Sequence, residues 1–142
     1  MTMPPESHVA AARNLCGMVS GLAQQIADHL RERAATVGLT AAQATALREM
    51  TGPMTMRELS ERMNCEPSNA TFVIDKLEKM RLVERRAHPT DRRAKLLILS
   101  AEGVAARERL MELLAQDTPL ASLSAEQQHA LYGLLKQAMA RP

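Results

Sequence analysis

A short β-hairpin is predicted by residues 82–100, in a chain whose other sequence signals are helical. The run Leu82-Val-Glu-Arg-Arg86 and the aliphatic run 95–99 suit half-buried strands, and the sequence Pro89-Thr-Asp between them is typical of a turn. Residues 81–95 contain six Lys or Arg against two acidic residues. The hairpin therefore presents positive charge, which is typical of a surface that meets phosphate.

Six helices are predicted from apolar spacing and from capping residues. Apolar residues recur at three- and four-residue intervals from about residue 8 to residue 36, which predicts a first helix of roughly eight turns that Gly38 stops. The starts of the later five helices are marked by Thr40 with Gln43, Thr55 with Glu58, Pro67, Ser100, and Ser124 with Gln127. The third and fourth helices form a helix-turn-helix, whose second helix covers about residues 67–80.

Composition narrows the class of protein. The 142 residues suffice for one domain with its own core. Cys16 and Cys65 show neither metal-ligand spacing nor a disulfide framework, so a reducing cytoplasm is expected. The uncharged run of residues 14–27, which no other uncharged run exceeds in length, is too short to span a bilayer and contains polar residues, so no membrane anchor is expected.

The positive charge is concentrated in one part of the chain. The formal net charge is +2, and residues 57–95 contain ten Lys or Arg against seven Asp or Glu, whereas the rest has eight against nine. One Tyr, one Phe and no Trp exclude an aromatic platform for stacking single-stranded nucleic acid. Double-stranded DNA is therefore the predicted partner.

The terminal helices carry apolar stripes that a helix-turn-helix does not need. Burying these stripes against a second copy of the chain contributes about 25 cal/mol per Å². We therefore expect a homodimer in which residues 1–37 and 103–142 dimerise and residues 38–102 form a DNA-binding lobe. A symmetric dimer places two recognition helices about 34–36 Å apart, which predicts a pseudo-palindromic operator.

The chain resembles the multiple-antibiotic-resistance regulator (MarR) family of winged helix-turn-helix repressors from its first helix to its sixth. The most specific motif is Asp91-Arg-Arg-Ala-Lys95, followed by an aliphatic strand that ends in Leu99-Ser100. Met56-Arg-Glu-Leu-Ser60, Val73-Ile-Asp-Lys-Leu-Glu78 and Leu82-Val-Glu-Arg85 resemble the family's third helix, the end of its recognition helix and its first wing strand. The resemblance implies a mainly α (α+β) winged helix-turn-helix fold with six helices, a two- or three-stranded wing and dimerisation through the N- and C-terminal helices.

The wing, residues 87–95, is expected to contact the minor groove. The resemblance implies that Arg93 enters the groove and that Asp91 holds its guanidinium in place. A narrow minor groove concentrates negative potential, which suits an arginine. Arg92 and Lys95 are expected to bind DNA from the same surface.

The N-terminal half of the fourth helix is expected to read the major groove. Ser68, Asn69 and Thr71 are short polar residues that can hydrogen-bond base edges or phosphate. Lys76 comes later on the helix, where a phosphate contact is expected. The family commonly has Arg after the Thr, whereas this chain has Phe72. We expect Phe72 to pack in the core, with contact to a thymine methyl group as the alternative.

Two further basic residues bear on the predicted interface. Arg57 in the third helix can reach phosphate, or it can form a surface ion pair with Glu61 four residues on. Arg81 stands where the family has Gly before its first wing strand.

The resemblance implies two kinds of signal that such a regulator can sense. The family typically binds small, often aromatic or anionic, ligands, or else oxidises a cysteine, so we expect a small-molecule effector and assign no residues to it. Cys16 lies in the helix where peroxide-sensing members carry their reactive cysteine, and a thiol-based peroxide-sensing repressor is therefore an alternative. A buried structural thiol is the expectation. The four histidines show no ligand spacing, and neither metal nor cofactor is expected.

Catalysis is not expected. The sequence has no glycine-rich phosphate loop, no nucleophile elbow and no constellation of His, Asp and Glu. A winged-helix module that binds protein instead of DNA is the alternative from another class. Binding by such a module has little dependence on salt, whereas operator binding is salt-sensitive. Repression, rather than activation, follows from the resemblance.

Overall fold

Six helices and one β-hairpin make up the part of the chain that the structure describes. The computed structural model describes the backbone of residues 5–140 and the side chains of residues 8–140. Its elements are α1 (Pro5–Ala35), α2 (Ala41–Glu49), α3 (Met56–Arg62), α4 (Pro67–Lys79), β1 (Val83–Ala87), β2 (Lys95–Leu99), α5 (Ala101–Ala115) and α6 (Ala125–Met139). The predicted order of elements, with the hairpin between the fourth and fifth helices, is confirmed.

Side-chain caps begin the helices where the sequence predicts them. Thr40, Thr55 and Ser124 each form a capping box, in which the cap side chain accepts from the backbone N–H three residues on and the cap N–H donates to the side chain of that residue. Ser100 caps α5 by accepting from the N–H of the third residue of the helix. Pro67 lies in the first turn of α4, where a missing N–H costs nothing.

Residues in the left-handed conformation end three of the helices. Gly38, Asn64 and Arg81 have φ angles of +73°, +54° and +63°. The residue after each one donates its N–H to a carbonyl five positions earlier, as Leu82 does to Leu77 at 3.0 Å. Leu82 is therefore part of the end of α4, and the first strand begins one residue later than predicted.

Residues 27–116 form one compact unit that contains the helix-turn-helix and the hairpin. Its core is apolar and draws on α2, α3, α4, both strands and α5. The largest fully buried side chains in it are Leu47, Met54, Leu59, Ile74, Leu77, Val83, Leu97 and Leu110. Because one core includes residues from both strands and from α4, the hairpin and the recognition helix are parts of the same packed lobe.

The hairpin is a two-stranded antiparallel sheet extended by a single bridge. Arg85 pairs with Leu97 in its centre, and Ala87 pairs with Lys95 at its outer end. Met54 forms an isolated bridge to Leu97, in which the Leu97 N–H donates to Met54 O at 2.7 Å. The wing thus has two strands and one bridging residue of a third, which accords with the expected two or three.

The described parts of residues 1–26 and 117–142 form the second compact unit. Within it, α6 has no buried residue and residues 11–21 of α1 are all exposed. Its exposed large apolar side chains are Val9, Leu15, Met18, Val19, Tyr132, Leu134, Leu135 and Met139. None of the helices within residues 5–140 combines the length and apolarity that crossing a membrane requires.

The boundaries of the two compact units differ from those of the predicted dimerisation and DNA-binding segments. The compact unit around the helix-turn-helix begins at residue 27 and ends at residue 116, whereas the predicted DNA-binding lobe comprises residues 38–102. Compactness groups the C-terminal part of α1 and all of α5 with the lobe, because they contribute Leu30, Ala34 and Leu110 to its core. The division by role stays a prediction.

Candidate nucleic-acid interface

Helix α4 has one buried face and one exposed face. Ala70, Val73, Ile74 and Leu77 are buried and point into the lobe. The exposed side chains of the helix are Ser68, Asn69, Phe72, Asp75, Lys76, Glu78 and Lys79, together with Pro67 at its start. The helix therefore presents polar groups at its N-terminal end and two lysines further along.

The N-terminal turn of α4 offers hydrogen-bonding groups to solvent. Ser68 and Asn69 are exposed, and no side chain or backbone group in residues 8–140 bonds to either side chain. Thr71 is half-buried, and its hydroxyl donates to the carbonyl of Pro67 at 2.9 Å. Ser68 and Asn69 are free to donate and accept, whereas the Thr71 hydroxyl retains only its acceptor capacity.

Phe72 lies on the exposed face of α4, so the expectation that it packs in the core is wrong. The side chain is 65% exposed. The four apolar residues at spacing i, i+3, i+4 and i+7 already form the buried face, and position 72 falls on the opposite side of the helix. The Lys76 ammonium lies 5.3 Å from the centre of the ring, within reach of a cation–π contact.

Arg85 joins the first wing strand to the recognition helix, a role that the sequence reasoning missed. One guanidinium nitrogen, Nη2, donates to Asp75 Oδ1, and Nε lies 3.4 Å from Glu78 Oε2. The Arg85 side chain is 28% exposed, so this ion pair is partly shielded from water. A signal was available, because the two acidic residues lie three apart on one helical face shortly before a strand that contains an unaccounted arginine.

The tip of the wing is a turn built on side-chain acceptors. His88 Nδ1 accepts from the backbone N–H of Thr90 at 3.2 Å and from that of Asp91 at 3.0 Å. Asp91 Oδ1 in turn accepts from the backbone N–H of Arg93 at 2.9 Å. These bonds fix the backbone from which the exposed side chains of Arg92 and Arg93 project.

Asp91 positions the backbone of Arg93 and not its guanidinium. Among residues 8–140 no ion pair joins the two side chains, so the contact implied by the resemblance is absent from the free chain. The carboxylate is already engaged by the N–H two residues on, which is the bond of an Asx turn. The orienting effect of Asp91 on Arg93 is therefore exerted through the main chain.

The remaining predicted residues, Lys95 and Arg57, are both exposed. Lys95 is exposed at the start of β2. Arg57 lies on α3, with its Nε 3.7 Å from Glu61 Oε1, and its side chain is 88% exposed. This is the surface ion pair that the sequence offers as the alternative to a phosphate contact. At this exposure the ion pair is too weak to hold Arg57 away from a phosphate.

Neither cysteine is buried. Cys16 is exposed and Cys65 is half-buried, and both are free thiols. The expectation of a buried structural thiol at Cys16 is therefore wrong for the single chain, because residues 11–21 of α1 all lie in solvent. Within residues 8–140 no three His, Cys, Asp or Glu side chains lie close enough together to hold a metal ion.

Comparison with known proteins places this lobe in a family. The sequence profile of the MarR family matches residues 39–95. A probable transcriptional regulator from Pseudomonas aeruginosa is 31% identical, over 86% of this chain and 94% of its own, with a TM-score of 0.64. A MarR variant from E. coli in complex with operator DNA is 25% identical, over 97% of this chain and all of that one, with a TM-score of 0.72. The chain belongs to the MarR family.

A repressor from Bacillus subtilis (strain 168), the HTH-type transcriptional repressor MdtR, is also similar. It is 33% identical over 87 residues, which cover 60% of this chain and 56% of MdtR. The matched region thus spans about half the length of that curated relative. The MarR family comprises transcriptional regulators with a DNA-binding winged helix, so α3, α4 and the hairpin are the winged helix-turn-helix of this member, and the predicted family and fold class are confirmed.

Proposed function

We propose that this MarR-family protein is a homodimeric, sequence-specific repressor that binds a pseudo-palindromic operator. In this proposal α4 enters the major groove and the wing enters the minor groove of the same half-site. The single observation that carries it is the ion pair of Arg85 with Asp75 and Glu78. Because this pair ties β1 to α4, the two DNA-reading elements keep a fixed relation to each other and can engage neighbouring grooves together.

The chemistry of the exposed side chains supports the assignment of grooves. Ser68 and Asn69 are available hydrogen-bonding groups at the N-terminal end of α4, which is the end that contacts base edges in helix-turn-helix proteins. Arg92 and Arg93 project from a turn that internal hydrogen bonds hold in shape. An arginine on such a turn suits the negative potential of a narrow minor groove.

The apolar side chains of α1 and α6 support dimerisation. Val9, Leu15 and Val19 are exposed on α1, and Leu134 and Leu135 are exposed on α6. These positions lie in the same compact unit, and large apolar side chains exposed on one unit are typical of an interaction surface. In a two-fold symmetric dimer, the same surface of a second copy would cover these side chains.

A small-molecule effector in the cytoplasm is the proposed signal. The lobe has an apolar hollow of about 410 Å³, and Arg109 is one of the residues that line it. Its other lining residues are Val37, Leu39, Met80, Leu82, Ala105 and Ala106. An apolar hollow with one cationic group suits a small anionic ligand, and its position beside the end of α4 allows a ligand to alter the recognition helix.

A binding titration tests the proposed function. The purified protein is titrated against a mixed-sequence duplex pool by fluorescence anisotropy at several salt concentrations, and its mass in solution is measured by light scattering. We expect a dimer whose DNA affinity falls steeply with salt. A monomer at micromolar concentration that ignores duplexes at low salt contradicts the proposal, and salt-insensitive capture of a protein partner would support the protein-interaction alternative.

The thiol-sensing alternative has its own test, since the exposure of Cys16 makes it accessible in the single chain. Under this alternative, peroxide releases the protein from DNA and Cys16→Ser remains bound. Release of both proteins, or of neither, rejects Cys16 as the sensor. Cys65→Ser is the matched control, because Cys65 is the second free thiol.

A further inference from the structure

Phe72 is an exposed aromatic side chain on the face of α4 that also carries Ser68 and Lys76. It is the single phenylalanine of the chain and the one large apolar side chain that α4 exposes. We propose that Phe72 contacts the C5-methyl group of a thymine in the major groove and thereby sets the base preference at one position of each half-site. This inference rests on the proposed operator binding and adds to it the identity of a base that is read.

Packing gives Phe72 no role in the fold. The buried face of α4 is complete without it, since Ala70, Val73, Ile74 and Leu77 are each at most 7% exposed. The ring lies on the opposite side of the helix and is 65% exposed. A phenyl group left in water is unfavourable, so burial against a partner is the interaction that this position still lacks.

The neighbours of Phe72 place it inside the DNA-facing surface. Ser68 lies one turn before it and Lys76 one turn after it, on the same face of the helix. The Lys76 ammonium lies 5.3 Å from the ring centre. This contact restrains the ring without covering it and adds a positive charge beside it, which favours DNA over an apolar protein surface as the partner.

The chemistry of the ring selects thymine among the four bases. Thymine alone presents a methyl group in the major groove, and apolar side chains contact it. A phenyl ring has no hydrogen-bond donor or acceptor for the edges of guanine, adenine or cytosine, so placing it against those edges removes their water without replacement. The ring therefore favours thymine, because it gains a contact with the methyl group there and would displace water without replacement at the other bases.

Replacement of thymine by uracil tests the inference directly, because uracil differs only by the absent methyl group. Duplexes bound by the wild-type protein are first selected from a random pool, and each thymine of the selected site is then replaced by uracil in turn. We expect one position per half-site at which this replacement weakens wild-type binding about fourfold, the effect of losing one buried methyl-sized group. Phe72→Ala should bind thymine and uracil equally there.

Two further variants separate specificity from general affinity. Phe72→Arg, selected against the same pool, should prefer guanine at that position, since arginine pairs with guanine O6 and N7. Arg93→Ala should bind more weakly overall and still distinguish thymine from uracil about fourfold. Circular dichroism should show unchanged folding of the Phe72 variants, because the side chain lies outside the core.

The outcomes are distinguishable from failure of the proposed function. If wild-type protein enriches no duplex, operator binding itself is refuted. If it binds a selected duplex but uracil has no effect at any position, the role of Phe72 is refuted and operator binding stands. An undiminished uracil effect in Phe72→Ala assigns the methyl contact to another residue and also overturns the inference.

Discussion

Gly103 packs directly against the backbone carbonyl of Leu82. Gly103 is buried in the first turn of α5, and a Cβ atom there would overlap the Leu82 oxygen and lie 2.9 Å from the carbonyl carbon. The same oxygen accepts the N–H of Ser100 at 3.0 Å, so it cannot easily move away. The close approach fixes the start of α5 against the chain segment between α4 and β1.

Substitution of Gly103 by alanine should destabilise the lobe. The added methyl group meets main-chain atoms, which relax far less than a side chain does, and we expect a loss of about 2–4 kcal/mol in the free energy of unfolding. Urea denaturation followed by circular dichroism measures it. Gly52→Ala is the matched control, since a methyl group added there would meet no atom within 4 Å and its φ is not positive, so its stability should change little. Equal stability of the two variants contradicts the prediction.

Arg81 should be replaceable by glycine with a gain in stability. Arg81 ends α4 with a φ of +63°, a conformation that costs a residue with a Cβ atom roughly 1 kcal/mol and costs glycine almost nothing. Arg81→Gly should therefore raise the free energy of unfolding by about 1 kcal/mol, whereas Arg81→Ala retains the cost and should not. A thermal melt of both variants makes the comparison, and a gain in Arg81→Ala equal to that in Arg81→Gly would point to charge instead of backbone conformation.

Arg93→Ala should weaken DNA binding and reduce its dependence on salt. Arg93 is exposed at the wing tip, and each phosphate-neutralising cation contributes about one unit to the slope of log affinity against log salt. We expect that slope to fall by about one. Arg31→Ala serves as the control, because Arg31 lies on α1 and pairs with Asp28 at 2.8 Å. Identical slopes for wild type and Arg93→Ala would remove Arg93 from the interface.

Local chemistry explains which parts of the structure could be predicted from sequence. The capping boxes of Thr40 and Thr55 and the initiating Pro67 act within one helical turn, so their sequence patterns fix the helix starts. The exposure of Phe72 was also available from spacing, because the i, i+3, i+4, i+7 apolar set left it on the other face. In α4 this periodicity outweighs the general tendency of aromatic residues to be buried.

Tertiary pairing explains what sequence could not give. Arg85 meets Asp75 because the turn at Arg81 directs β1 back along α4. The spacing of Asp75 and Glu78 marks them as partners for a cation, but no local pattern encodes the path that brings Arg85 to them. The exposure of Cys16 likewise depends on which elements cover α1 and not on the stripe of apolar residues to which it belongs. Apolar spacing identifies a face that will be buried and does not say by what.

Removing the Arg85 ion pair should uncouple the wing from the recognition helix. Arg85→Met keeps the aliphatic stem and leaves Asp75 and Glu78 without their cation. Because both carboxylates are about half exposed to water, we expect a loss of only about 0.5–1 kcal/mol in unfolding free energy. Hydrogen exchange should speed up in β1 more than in α2. Arg86→Met is the control, since Arg86 pairs with Glu84 on its own strand and is 67% exposed. Equal exchange in the two variants would show that packing alone holds the wing to α4.

His88 should be needed for DNA affinity although it need not touch DNA. Its Nδ1 atom accepts two backbone N–H groups at the wing tip, so His88→Ala leaves both donors to water and loosens the turn that carries Arg93. We expect operator affinity to fall severalfold, because each lost hydrogen bond contributes at most about 1 kcal/mol. The melting temperature of the lobe should stay nearly unchanged, because the tip of the wing is exposed. His88→Asn keeps a side-chain acceptor near the same position and should restore most of the affinity, which a direct contact between the imidazole and DNA would not allow. His129→Ala on α6 controls for loss of a histidine elsewhere, and binding by His88→Ala as tight as by that control would refute the role of the turn.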